Sequence, residues 1–147
     1  MGISSTFSIT GSALNAQSIH IDTIAKNMAN SQVIASSADE AYRAKRPEFA
    51  SVLGSAFNNG ASTTAPNGVV MNEGVRVNGF IESADPVERQ RMPESPLADE
   101  NGYVYLSNVN IVEEMTYMME ASRSYQSNVE VLNTSKQLLL ATLNIGK

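Results

Sequence analysis

The sequence predicts an α+β protein: two long terminal helices packed as a coiled-coil-like pair, with a small, mostly β module between them. Three observations predict it. Apolar residues step by four and three from Ile111 to Leu143. The same spacing runs through residues 3–30. Between the two lie short β-type runs bounded by Gly, Asn and Pro.

The first arm spans residues 3–30. Ile3, Phe7, Thr10, Leu14, Gln17, Ile21, Ile24 and Met28 mark the seam of a helix that packs against other helices. Ala13, Ala16, Ala25 and Ala29 are small neighbours that permit close approach. Ser4 or Ser5 supplies a cap. Gly11 inside the pattern costs ~1 kcal/mol relative to Ala. Ser, Thr and Asn are numerous, so this helix is expected to fray in the free chain and to order on its partners. Asn27 and Asn30 near its end admit two readings. They cap the helix C-terminus, or they make interhelical hydrogen bonds that set register.

Residues 31–68 read as connection and irregular structure. Ser36 to Glu40 are turn-like. Tyr42 to Phe49 reads as a short extended segment, anchored by its two aromatics, with Arg43, Lys45 and Arg46 facing out. That charge cluster is a solvated face or a contact with an acidic neighbour. Asn58 to Gly68 has the composition of a flexible loop and is expected at an exposed tip.

Residues 69–106 carry the β signals. Val69-Val70-Met71, Val75-Arg76-Val77, Phe80-Ile81-Glu82 and Tyr103-Val104-Tyr105-Leu106 read as short strands. Glu73-Gly74 and Asn78-Gly79 read as hairpin or bulge signals, and Asn101-Gly102 as a turn. Pro86, Pro93 and Pro96 predict an extended excursion without ladder bonding from Asp85 to Pro96. The module is too small for a deep pocket.

The second arm opens on Asn110, which can cap a helix with Glu113 completing a capping box. Glu113 and Glu114 place negative charge where the helix dipole favours it. The seam is Ile111, Met115, Met118, Ser122, Tyr125, Val129, Leu132, Lys136, Leu139 and Leu143, and Gly146 stands where a terminating glycine belongs. Such a helix is ~35 residues and ~50 Å long. A domain of this size cannot cover it, so further helices are expected on the seam. Polar seam positions Gln17, Ser122 and Lys136 weaken a plain two-stranded coiled coil and suit contacts between chains. The expected division is residues 1–30 and 110–147 as the helical domain and 31–109 as the middle module, with the loop at about 58–68.

Composition narrows the function classes. The chain has 147 residues, enough for one ordinary domain. Aromatics are 6% and Trp is absent, which argues against a thick aromatic core. A net charge of −5 leaves no basic field for nucleic acid. The absence of cysteine excludes disulfides and thiolate metal sites. No run of ~18 apolar residues predicts a membrane span. The N-terminus shows no cleavable secretory pattern. Charge is uneven: residues 31–109 hold ten acidic and six basic side chains, while residues 1–30 hold only Asp22 and Lys26. Weakly charged arms thus flank a polar middle.

No catalytic set emerges. His20, the one histidine, sits beside seam residue Ile21 and reads as a surface or interface residue. Asp99 and Glu100 are adjacent, which does not make an acid/base pair. Neither a Ser/His/Asp arrangement nor a phosphate loop is present. The expectation is no enzyme, no cofactor and no metal.

Three stretches together resemble one family. Ala25-Lys26-Asn27-Met28-Ala29-Asn30 resembles the N-terminal signature of flagellar rod and hook axial proteins. Pro96 to Val104, followed by Asn108-Val109-Asn110, resembles a pattern particular to the proximal rod. Glu113-Glu114-Met115, then Ala121 to Asn128, resembles the C-terminal helix of the same group. The signature falls on Asn27, Asn30, Asp99, Gly102, Tyr103, Asn108, Glu114, Arg123, Tyr125, Gln126 and Asn128. Ser31-Gln32-Val33-Ile34-Ala35 departs from the family's Asn-Thr-Thr-like continuation.

The resemblance implies a structural subunit of the flagellar basal-body proximal rod. Such a subunit self-assembles through its terminal helices into the helical drive shaft that transmits torque and surrounds the export channel. It implies export by the flagellar type III apparatus without a cleaved signal, and a place in the periplasmic rod. The implied partners are the chain itself, FlgB-type and distal rod proteins, and basal-body ring and rod-adaptor proteins. Neither nucleic acid nor a transmembrane span is implied. An alternative is a soluble helical adaptor or export chaperone forming a discrete dimer.

Overall fold

The computed structural model describes residues 3–53 and 72–145. In chain order it contains α1 (Ile3–Asn30), β1 (Ile34–Ala35), β2 (Lys45–Leu53), β3 (Asn72–Glu82), β4 (Arg89–Arg91), β5 (Tyr103–Leu106) and α2 (Ile111–Ile145). This is the α+β arrangement of two long terminal helices and a small antiparallel sheet. The loop expected at 58–68, the run Val69-Val70-Met71 and the terminating Gly146 lie outside the described residues.

Helix α2 starts as its sequence dictates, whereas the caps expected for the first helix do not lie at its start. Asn110 Oδ1 accepts from the N–H groups of Val112 (3.0 Å) and Glu113 (3.5 Å), the first donors of α2. Ser4 and Ser5 already lie inside α1.

The chain divides into two compact units. One comprises residues 1–19, 49–78 and 123–147. The other comprises residues 20–48 and 79–122.

The second unit holds a three-stranded antiparallel sheet in the order β1-β5-β4. Ile34 faces Leu106 and Ala35 faces Tyr105, while on the other side Arg89, Gln90 and Arg91 face Tyr105, Val104 and Tyr103. Val104, on the central strand, is 0% exposed. The turn before β5 is an Asx turn, in which Asp99 Oδ1 accepts from the N–H groups of Asn101 (2.9 Å) and Tyr103 (2.8 Å). Gly102, at φ 78°, supplies the left-handed residue that this turn needs. Asp99→Ala is therefore expected to cost about 1–2 kcal/mol, read as a lower unfolding midpoint with unchanged helix content.

Three sequence expectations change. First, residues 31–68 are not simply connection: β1 and β2 lie there, and β2 pairs with β3 in a two-stranded ribbon. Pro47 inside β2 is tolerated because every strand of such a ribbon has an open edge, where a missing N–H is not needed. Second, the stretch from Asp85 to Pro96 does pair: Pro86, Pro93 and Pro96 flank β4 without interrupting it, leaving Arg89 to Arg91 free to form a ladder. Third, Glu73-Gly74 and Asn78-Gly79 both lie inside the continuous strand β3 and turn no hairpin.

The first unit gives the reason for Gly74. Its backbone, at φ 148°, passes directly over helix α1. There Ser12 Oγ accepts from the N–H of Val75 (3.1 Å) and donates to the carbonyl of Ile9 (2.7 Å). A side chain at residue 74 would occupy the space of that hydroxyl.

Candidate assembly surface

The end of α1 shows why two asparagines stand there. Asn30 Nδ2 donates to the carbonyl of Lys26 at 2.7 Å, a bond of the helix-capping kind. Asn27 does something different. It is 1% exposed, and its carboxamide makes four hydrogen bonds within its unit. Oδ1 accepts from the Lys45 N–H and the Tyr42 hydroxyl, both at 3.0 Å. Nδ2 donates to the Lys45 carbonyl at 2.9 Å and to Glu114 Oε2 at 3.1 Å. The side-chain amide thus pairs with both backbone groups of the first residue of β2, as a neighbouring strand would. Its remaining donor and acceptor reach α2 and Tyr42.

Glu114 lies in the first turn of α2 and is 2% exposed. Besides Asn27, it has the Arg46 guanidinium at 4.0 Å. That guanidinium also stacks over the ring of Tyr117, 4.5 Å from its centroid. Of the three cations expected to face out, Lys45 pairs with Glu82 at 3.3 Å and Arg43 donates to the carbonyls of Ser83 and Asp85. Burial pushes the Tyr42 hydroxyl above its ordinary pKa, so it stays a donor to Asn27.

Asn108 is a second two-handed amide. Its Oδ1 accepts from the Ala44 N–H at 2.8 Å, and its Nδ2 donates to the Asp85 carbonyl at 2.9 Å. Tyr103 carries Arg89 over its ring at 5.2 Å. Asp99 and Gly102 form the Asx turn described above. In the first unit, Asn128 lines a shallow cavity of about 210 Å³ with Ala13, Ala16, Gln17, Phe49, Val75 and Ser124. Arg123, Tyr125 and Gln126 are exposed.

The seam residues are distributed unequally. On α1, Ile24 is buried, and Phe7, Leu14, Ile21 and Met28 are half-buried. On α2, Ile111, Met118, Val129 and Leu132 are half-buried, whereas Met115, Tyr125, Leu139 and Leu143 are exposed. The buried helical positions are mostly small or polar: Thr10, Ala16, Thr23, Asn27, Glu114 and Ala121. Sequence reasoning passed over five apolar residues that α2 exposes off the seam, Val112, Met119, Val131, Leu138 and Leu140. The steps Val112–Met119 and Val131–Leu138 are each a heptad, which was the available signal.

His20 is half-buried. Burial holds its pKa below the ordinary histidine value, Glu114 partly reverses this, Arg46 adds to it and Glu120 opposes it. The unfolded chain therefore binds the proton more tightly than the folded one. The stabilising contribution of neutral His20 is complete above pH ~6.5 and is lost as pH falls below it. His20→Gln is expected to flatten the fall in stability below that pH. Equal slopes for the two proteins in urea titrations across this range would refute the assignment.

Among the described residues no three His, Cys, Asp or Glu side chains cluster as a metal site, and no helix is long and apolar enough to cross a membrane. Residues 100–145 match the family model for the flagellar basal body rod FlgEFG protein C-terminal region. The chain is 41% identical over 147 residues to the flagellar basal-body rod protein FlgC of Salmonella typhimurium, covering 100% of both chains. It is 42% identical to the FlgC of Escherichia coli O157:H7 and 40% identical to that of Yersinia enterocolitica, again over the whole of each chain. The chain belongs to the flagellar basal-body rod protein FlgC family and, with that family, is a structural component of the basal-body rod.

Proposed function

We propose that the chain forms the proximal part of the rod by self-assembly through its terminal helices. Helix α2 carries the proposal, because it exposes apolar side chains in both units. Val112, Met115 and Met119 do so in one, and Val131, Leu138, Leu139, Leu140 and Leu143 in the other. Val112 is 72% exposed and Leu143 62%, levels at which burial by neighbouring subunits has most to gain. At ~25 cal/mol per Å² of apolar surface, such burial offsets the ordering of the arms. Contacts that run head to tail without closing build a helical filament.

In this reading the helices of residues 1–30 and 110–147 form the inner tube around the export channel. Residues 31–109 form the outer layer toward the surrounding rings. The role is structural and not catalytic. The partners are further copies, FlgB-type and distal rod proteins, ring and rod-adaptor proteins, and the type III export apparatus. Sedimentation of the purified chain tests the reading. Monomer converting to a series of growing assemblies supports it; a discrete dimer at all concentrations favours the adaptor or chaperone alternative.

A further inference from the structure

We infer that Asn27 and Glu114 are positioning residues that lock the register of α1 against β2 and α2 within residues 20–48 and 79–122. Three observations carry this. The carboxamide of Asn27 is saturated, with two donors and two acceptor sites all engaged. The carboxylate it bonds in α2 is 2% exposed, with an exposed guanidinium at 4.0 Å and His20 within its field. The other buried helical positions of this unit are Thr23, Ile24 and Ala121.

Thr23 and Ala121 are small and oppose a slide of one turn (~5.4 Å) weakly, which leaves Ile24 as the one large apolar side chain among these positions to resist it. The polar pair removes that freedom. A slipped helix would leave Glu114 buried without its amide donor and the Lys45 backbone groups without their partner. A buried carboxylate is a poor way to add stability, since an apolar pair of similar volume does at least as well. Setting a unique register is the best-attested use of such a group. Only a carboxamide both accepts from and donates to one residue of β2, so Asp cannot substitute for Asn27 even though its shape is nearly the same.

The consequence for the rod rests on the assembly reading above, but the lock itself is read on the isolated chain. The chain has no cysteine, so Ala25→Cys and Thr116→Cys, both at exposed positions, accept a pair of spin labels cleanly. The otherwise unchanged sequence is expected to give one narrow distance. Asn27→Asp, which sets two carboxylates against each other, is expected to broaden it or add a second population about one helical turn (~5.4 Å) away. Glu114→Gln alone keeps an oxygen that accepts from Asn27, and the single distance persists. Asn27→Asp combined with Glu114→Gln restores a donor facing an acceptor between α1 and α2, though not the donor to the Lys45 carbonyl, and the distribution narrows in part. A double variant no better ordered than Asn27→Asp, whether both are broad or both unfolded, overturns the inference. So does a single unshifted distance from Asn27→Asp. Failure of the lock leaves the assembly reading standing. Conversely, a chain that keeps its register yet sediments as a discrete dimer removes the assembly reading alone.

Discussion

Replacing Leu132 or Met118 with aspartate is expected to abolish rod assembly and swimming while leaving synthesis of the chain intact. Both side chains are only half-buried in the single chain, so substitution there reaches whatever covers the rest of them on assembly. A carboxylate forced out of water without a partner costs several kcal/mol, or else must take up a proton. In a filament that cost recurs at every copy. Met119→Asp separates assembly from folding. Met119 is 63% exposed, so the isolated chain should unfold at nearly its original midpoint. If neighbouring subunits cover this face, swimming should still be lost. Normal motility from Leu132→Asp would remove the seam from the assembly argument. Normal motility from Met119→Asp alone would confine the interface to the seam side of α2.

Much of the fold is legible in the sequence where one period persists for long enough. Helices of 28 and 35 residues repeat their pattern many times, so the two arms and the Asn110 cap can be read directly. Asn101-Gly102 is legible because a turn residue at φ 78° favours glycine. The short strands are not. With three residues, β4 offers no period, and its flanking prolines argue against pairing. In β2, charges and a proline interrupt any alternation, although its partner strand tolerates both.

The candidate surface is legible for a different part of its residues. Periodicity weighs size and apolarity, whereas a close helix contact selects small side chains. Thr10 on the seam and Ala16 beside it are buried, and so are Thr23 and Ala121, which the apolar period does not mark. The bonds of Asn27 were beyond reach because their partners at residues 42, 45 and 114 are distant in sequence. What the pattern did offer was the oddity itself: two asparagines on either side of Met28, the last seam residue of the first helix.

Gly74→Ala is expected to destabilise the chain by roughly 2–4 kcal/mol, more than any surface substitution of similar size. Two costs combine. At φ 148° an L side chain is strained in any surroundings. The added methyl also displaces Ser12 Oγ, which leaves the Val75 N–H without its acceptor. For a chain of this length the melting temperature should fall by roughly 5–15 °C. A double-mutant cycle with Ser12→Ala divides the two costs. Ser12→Ala alone removes the hydroxyl that accepts from Val75 and should cost about 1 kcal/mol. In the Gly74→Ala background that bond is already broken, and removing the hydroxyl relieves the clash. The second substitution should then be neutral or stabilising. The destabilisation of the double variant relative to Ser12→Ala alone is the backbone strain. Strictly additive losses would mean that the helix and strand do not meet at this point, and the reason given for the glycine would fall.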